Sequence, residues 1–166
     1  MTSKLRVKDI TLYAILGAIL FALKMVMAGL PNIEPVSLLV MVYAVVFGCK
    51  ALWAVYVYAF LELFTWGFST WTISYLYIWL LLFALAHLLR QMKSPLSWAI
   101  LSGGFGLCFG LLCAPVCFLS GGWAYTVSWW LSGIPYDLLH CGGNFAMALL
   151  LFRPCRRILT TLHEQY

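Results

Sequence analysis

Apolar residues run along this chain in long blocks, interrupted by Gly, Pro and basic residues. Six blocks stand out, at roughly 10–29, 36–48, 51–67, 72–90, 97–119 and 134–152. A helix needs about 20 residues to cross the hydrocarbon of a bilayer. The second and third blocks fall short of that. They read as spans that tilt little, sit in a locally thinned bilayer, or share an inward-dipping turn at Gly48-Cys49-Lys50. The stretch SGGWAYTVSWWLSG, residues 120–133, is too polar and too short to span. Its tryptophans and tyrosine suit an interfacial helix or a lid at headgroup level. The pattern therefore predicts an all-α membrane protein: one domain over 1–166, a compact bundle of six transmembrane helices, with no internal repeat.

Composition sharpens this. Of the 166 residues 64% are hydrophobic and 9% charged, where a soluble domain carries roughly 25% charged residues. Too little polar surface remains to coat a globule, so lipid must cover much of the outside. The net charge of +5 does not point to nucleic acid, because the basic residues sit at helix ends. With the N-terminus inside, the inner segments 1–9, the turn near 50, 90–96 and 153–166 hold Lys4, Arg6, Lys8, Lys50, Arg90, Lys93, Arg153, Arg156 and Arg157. That is nine of the ten basic residues on one side, which predicts both termini in the cytoplasm. The opening MTSKLRVKDI lacks an Ala-x-Ala-type cleavage site and reads as the start of a retained span. Six cysteines lie mostly within apolar runs, without a Cys-x-x-Cys pair, and read as small buried residues. No metal site and no cofactor is expected. A Walker A motif is absent, so the chain does not couple ATP hydrolysis itself.

A few polar residues break the apolar blocks. Lys24, Glu62 and Asp137 are intramembrane ionisable groups, which cost at least ~2.5–3.5 kcal/mol each at mid-bilayer and usually face a cavity or a partner. They lie about three to five residues in from the outer helix ends, ~5–8 Å deep. Glu34 and Asn32 stand on the outer loop between Pro31 and Pro35. One reading is a structural ion pair such as Lys24–Glu62 that staples helices; the other is an outward-facing polar pocket, which also accounts for Asp137. Asp137, His140 and Asn144 are spaced i, i+3, i+7 and fall within ~60° on one helical face. Aromatic residues follow helical spacing nearby: Tyr58, Glu62 and Trp66 in the third block, Trp71, Tyr75 and Trp79 in the fourth, with Trp130 in the segment 120–133. Aromatic faces with a few polar groups suit a flat heterocyclic solute. Gly103, Gly106, Gly110, Cys113 and Cys117 share one side of the fifth block, a small-residue face that lets helices pack closely. Ala14, Ala18 and Ala22 recur at i+4 in the first block; if Lys24 points into the bundle, they point outward, toward lipid or a docking partner.

Taken together, the six blocks, the alanine stripe, the loop LPNIEPVSLL and the segment SGIPYDLLHCGGNF followed by basic RPCRR resemble the substrate-binding S component of energy-coupling factor (ECF) vitamin transporters. The resemblance covers nearly the whole chain. It implies a multi-pass protein of the bacterial cell membrane that binds a vitamin or vitamin precursor near the outer surface, under the loops at roughly 30–35, 67–72 and 120–133. It also implies that Ala14, Ala18 and Ala22 contact a transmembrane scaffold subunit, with two ATPase subunits driving uptake as the S component topples in the membrane. Two other readings stay open: an intramembrane enzyme using Asp137 and His140, and a stand-alone transporter of small solutes.

Overall fold

The computed structural model describes residues 6–30 and 32–165. Lys4 and Pro31 lie outside the described residues. The described chain is helical, with no strand among its residues. Its helices are α1 (Val7–Val26), α2 (Val36–Val46), α3 (Leu52–Trp66), α4 (Thr70–Leu88) and α5, the run Pro95–Gln165, in which Pro95–Leu107 and Phe109–Gln165 meet at Cys108. A 3-10 turn, Gly48–Ala51, links α2 to α3. Three helices, α1, α4 and α5, are long and apolar enough to cross a membrane.

The expectation of six separate spans is corrected on two points. The first is α2. Its 11 residues reach only ~16 Å at 1.5 Å per residue, and every side chain from Val36 to Ala44 is buried. A helix that is apolar all round is a core element; α2 is a buried strut packed chiefly against α4 and the stretch Phe109–Gln165 of α5. The second is α5, which contains both the fifth and the sixth expected spans and also the segment 120–133. That segment is helical and belongs to α5, whose break it contains; it is not an element of its own. The break falls at Gly122, with φ 71° and ψ −169°, a conformation that glycine adopts without steric cost. There α5 turns back on itself. Its two arms run antiparallel, as Trp98 stacking on Phe152 at 4.3 Å and the apposition of Gly103 with Cys141 and Phe145 show.

The small-residue face holds these arms together. A Cβ on Gly106 would stand 2.7 Å from the His140 carbonyl oxygen, and one on Gly110 would stand 2.5 Å from Asp137 Oδ2. Cys113 and Cys117 are buried on the same side, whereas Cys49 and Cys108 are exposed. Asn144 ties the returning arm to α2 and to the outgoing arm of α5 by donating to Ser37 Oγ (3.0 Å) and to the Ser102 carbonyl (3.3 Å).

On α1, Tyr13, Leu16, Gly17 and Leu20 face inward, while Ala14, Ala18 and Ala22 are exposed. α4 starts on a capping box: Ser69 Oγ accepts from the Thr72 amide, and Thr72 Oγ1 accepts from the Ser69 amide. Basic and polar residues gather at one end of the bundle. Arg6 and Lys50 both reach Asp9 (3.7 and 3.1 Å), Arg90 meets His87 (2.8 Å), and His87 lies 3.5 Å from Cys49. His163 packs on Phe47, which packs on Tyr13, so the two ends of the described chain share that side.

At Gly17 the α1 and α3 backbones nearly touch: a Cβ there would meet the Ala54 carbonyl oxygen at 2.6 Å and Val57 Cβ at 2.7 Å. Gly17→Ala is therefore expected to destabilise the detergent-solubilised protein by about 1–3 kcal/mol, the usual cost of overpacking. A melting temperature at or above that of the parent chain would show that the two helices do not meet in this way.

Candidate functional site

At the end of the bundle opposite Asp9 and Lys50, a cavity of about 580 Å³ opens between α1, the loop after it, α4 and both arms of α5. Its walls combine charged side chains (Lys24, Glu34, Asp137), aromatic rings (Trp66, Trp71, Tyr75, Phe109, Trp129, Tyr136) and His140.

Lys24 reaches it from the last turn of α1, on the face that carries Leu20 and Leu16. Its Nζ donates to Glu62 on α3 and to Tyr75 Oη (3.3 Å) on α4. It also lies over the rings of Trp71 and Tyr75, 5.1 and 4.9 Å from their centroids, within cation–π range. Glu62 is fully buried behind the lysine and does not line the cavity. The structural ion pair and the polar pocket, two alternatives in the sequence, are thus parts of one arrangement: the pair forms, and its cationic member looks into the cavity.

Asp137 enters from the returning arm of α5. Both of its carboxylate oxygens accept from the Gly110 amide, at 3.0 and 3.2 Å. Gly110 lies in the first turn of the stretch Phe109–Gln165, where amides have no partner within the helix. Asp137 supplies that partner. His140, one turn on, is 2% exposed, and neither ring nitrogen has a hydrogen-bond partner among the described residues. Its ring packs edge-on against Phe109 at 4.8 Å. A buried imidazole left this way needs a reason; His140 borders the cavity with both nitrogens covered by the wall.

The loop contributes Asn32 and Glu34. Asn32 has a left-handed φ of 56°, and its side chain donates to the Tyr136 carbonyl (3.1 Å), pinning the loop to α5. Glu34 is half-buried. Burial pushes its carboxyl up to about 7; nearby Lys24 opposes the rise and Glu62 adds to it.

Of the residues singled out in the sequence, Lys24, Asn32, Glu34, Trp66, Tyr75, Asp137 and His140 line the cavity. Four do not. Glu62 sits behind Lys24, and Trp79 is fully buried below Tyr75, packed on Tyr58, Phe105 and Phe109. Asn144 joins helices in the core, and Trp130 lies outside the lining. On that arm the lining residues are Trp129, Ser132, Gly133 and Tyr136, spaced i, i+3, i+4, i+7. They extend the stripe of Asp137 and His140 back through 120–133, a helical phase that becomes readable once the segment is taken as helix. Trp130, one residue along, points ~100° away. Met27, Ala28, Leu30, Trp71, Phe109, Gly110 and Cys113 complete the wall. Among the described residues no group of three or more His, Cys, Asp or Glu is arranged to hold a metal ion.

Compared with known proteins, the chain matches no protein-family model, no curated protein and no solved structure.

Glu34 gives the site a pH signature. A carboxyl whose folded-state pKa stands above its ordinary 4.5 favours the folded chain at pH below that value and loses this contribution as pH rises through about 7. The melting temperature should fall between pH 5.5 and 8, by an amount equivalent to about 1–3 kcal/mol. Glu34→Gln should remove most of that slope. A slope unchanged in the variant would assign the effect to another group.

Proposed function

We propose that this chain is a membrane-embedded capture subunit for a small organic solute, an S component of the energy-coupling factor type that takes up a vitamin or vitamin precursor. The observation that carries the reading is the cavity itself. It has the size of a small-molecule site, and it is walled by aromatic rings and a few buried polar groups. It also lies at the opposite end of the bundle from the basic residues Arg6, Lys50 and Arg90. By the positive-inside rule those residues face the cytoplasm of a bacterial cell, with both termini, and the cavity then opens outward. The exposed alanines of α1 support a second part of the reading: Ala14, Ala18 and Ala22 form the face that meets the scaffold subunit, through which two ATPase subunits drive the cycle.

The geometry gives less support to acid–base chemistry. Asp137 is engaged by the Gly110 amide, and His140 has no hydrogen bond to it.

Mass spectrometry of the detergent-purified chain is expected to find a small organic molecule that is released unchanged. His140→Ala should weaken rebinding of that molecule by roughly 10- to 100-fold, the worth of one buried hydrogen bond. Chemical turnover of the bound molecule, or transport into liposomes by the chain alone, would displace this reading. For the partner face, Ala18→Trp should abolish co-purification with the scaffold subunit, because a bulky ring blocks close helix approach, while solute binding persists. A complex that tolerates the tryptophan would place the contact elsewhere.

A further inference from the structure

The charges around the cavity do not balance, and the imbalance bears on the guest, provided that the chain captures a solute as proposed. Lys24 is the only lysine or arginine among the described residues of the lining. Its ammonium is already engaged by Glu62, a fully buried carboxylate that has no other ion-pair partner among the described residues. That pair is self-neutralising. Two further carboxylates, Glu34 and Asp137, face the same space without a cation of their own. Asp137 receives a backbone amide, which is a dipole and not a charge. Glu34 has no hydrogen bond or ion pair among the described residues. The N-terminal end of α2, two residues beyond Glu34, offsets roughly half a unit charge. At pH 7.5, just above the value of about 7 to which burial pushes Glu34, most of that carboxyl is ionised and the excess stays negative.

Three kinds of guest meet this wall differently. An anion adds a like charge beside Glu34 and Asp137, and the one ammonium it needs is occupied. A neutral ring leaves both carboxylates without counter-ions in a partly dehydrated site, a costly arrangement. A cation supplies what is missing. The aromatic lining favours the same choice, since the rings of Trp71 and Tyr75 already accept the Lys24 ammonium over their faces. Trp66, Phe109, Trp129 and Tyr136 offer further faces to a second cation or to a flat ring. His140 borders the same cavity with two unpartnered ring nitrogens covered by the wall, so a small turn of its ring would offer a directional hydrogen bond to a polar substituent.

We infer that the solute is an aromatic cation, its positive charge held toward Glu34 and Asp137 and its ring seated among the tryptophans and tyrosines of the wall.

The test uses the full chain in detergent and three probes that share one ring and differ in charge: tryptamine (cation), tryptophol (neutral) and indole-3-propionate (anion). Titration calorimetry at pH 7.5 should find tryptamine bound at least about tenfold more tightly than tryptophol, with indole-3-propionate weakest. Glu34→Gln and Asp137→Asn should each narrow the tryptamine-to-tryptophol ratio by about tenfold, with helicity and elution volume confirming that the variants fold. Equal or tighter binding of the neutral or anionic probe overturns the inference, and so does a ratio that neither variant changes. If a neutral or anionic molecule co-purifies with the chain, the capture reading stands and the charge assignment fails. If nothing co-purifies and no probe binds, both fail.

Discussion

An ammonium and a carboxylate withdrawn from water cost several kcal/mol each unless they meet. Lys24 and Glu62 meet, and much of the molecule is arranged around that contact. It fixes the rotation of α1, because the lysine must face α3; the same rotation turns Tyr13, Leu16 and Leu20 into the core and leaves Ala14, Ala18 and Ala22 outside. It fixes depth as well. The pair sits one turn from the end of each helix, so the cation rises to the floor of the cavity while its partner stays beneath. Tyr75 joins from α4 through both its hydroxyl and its ring, so three helices converge on one ammonium. Removing either charge would leave the other buried and uncompensated.

A second constraint acts along α5. Its arms approach so closely that only hydrogen fits at Gly106 and Gly110, and this proximity brings the Asp137 carboxylate onto the Gly110 amide. Packing and site geometry are here the same contact. The side chain that caps a broken helix is also one wall of the cavity.

The charged part of the site is legible in the sequence because ionisable residues in apolar blocks are costly and persist only with a purpose. Lys24 and Asp137 declare themselves by being out of place, and His140 is marked by its spacing to Asp137. What periodicity conveys is the face of a helix and not depth along the bundle axis. Trp79 shares its face with Tyr75 yet lies a turn lower, under the aromatic floor, and Asn144 stands in the same relation to His140. The segment 120–133 conceals its role for another reason. Its serines, glycines and tryptophans suggest an interface by composition. Its helical phase, carried by Trp129, Ser132, Gly133 and Tyr136, shows only when the stretch is joined to Asp137 and His140 in one continuous helix. The short second block has a physical cause of the same sort: length alone does not separate a shallow span from a central strut, and burial on all sides does.

That strut has one more consequence. α1 and α4, at 20 and 19 residues, extend ~28–30 Å, whereas α2 ends after ~16 Å. α2 is thus shorter than these neighbours by ~12–14 Å. The cavity takes no lining residue from α2; its walls come from the longer helices and from the loop before α2, which turns at Asn32 and is pinned to the Tyr136 carbonyl of α5.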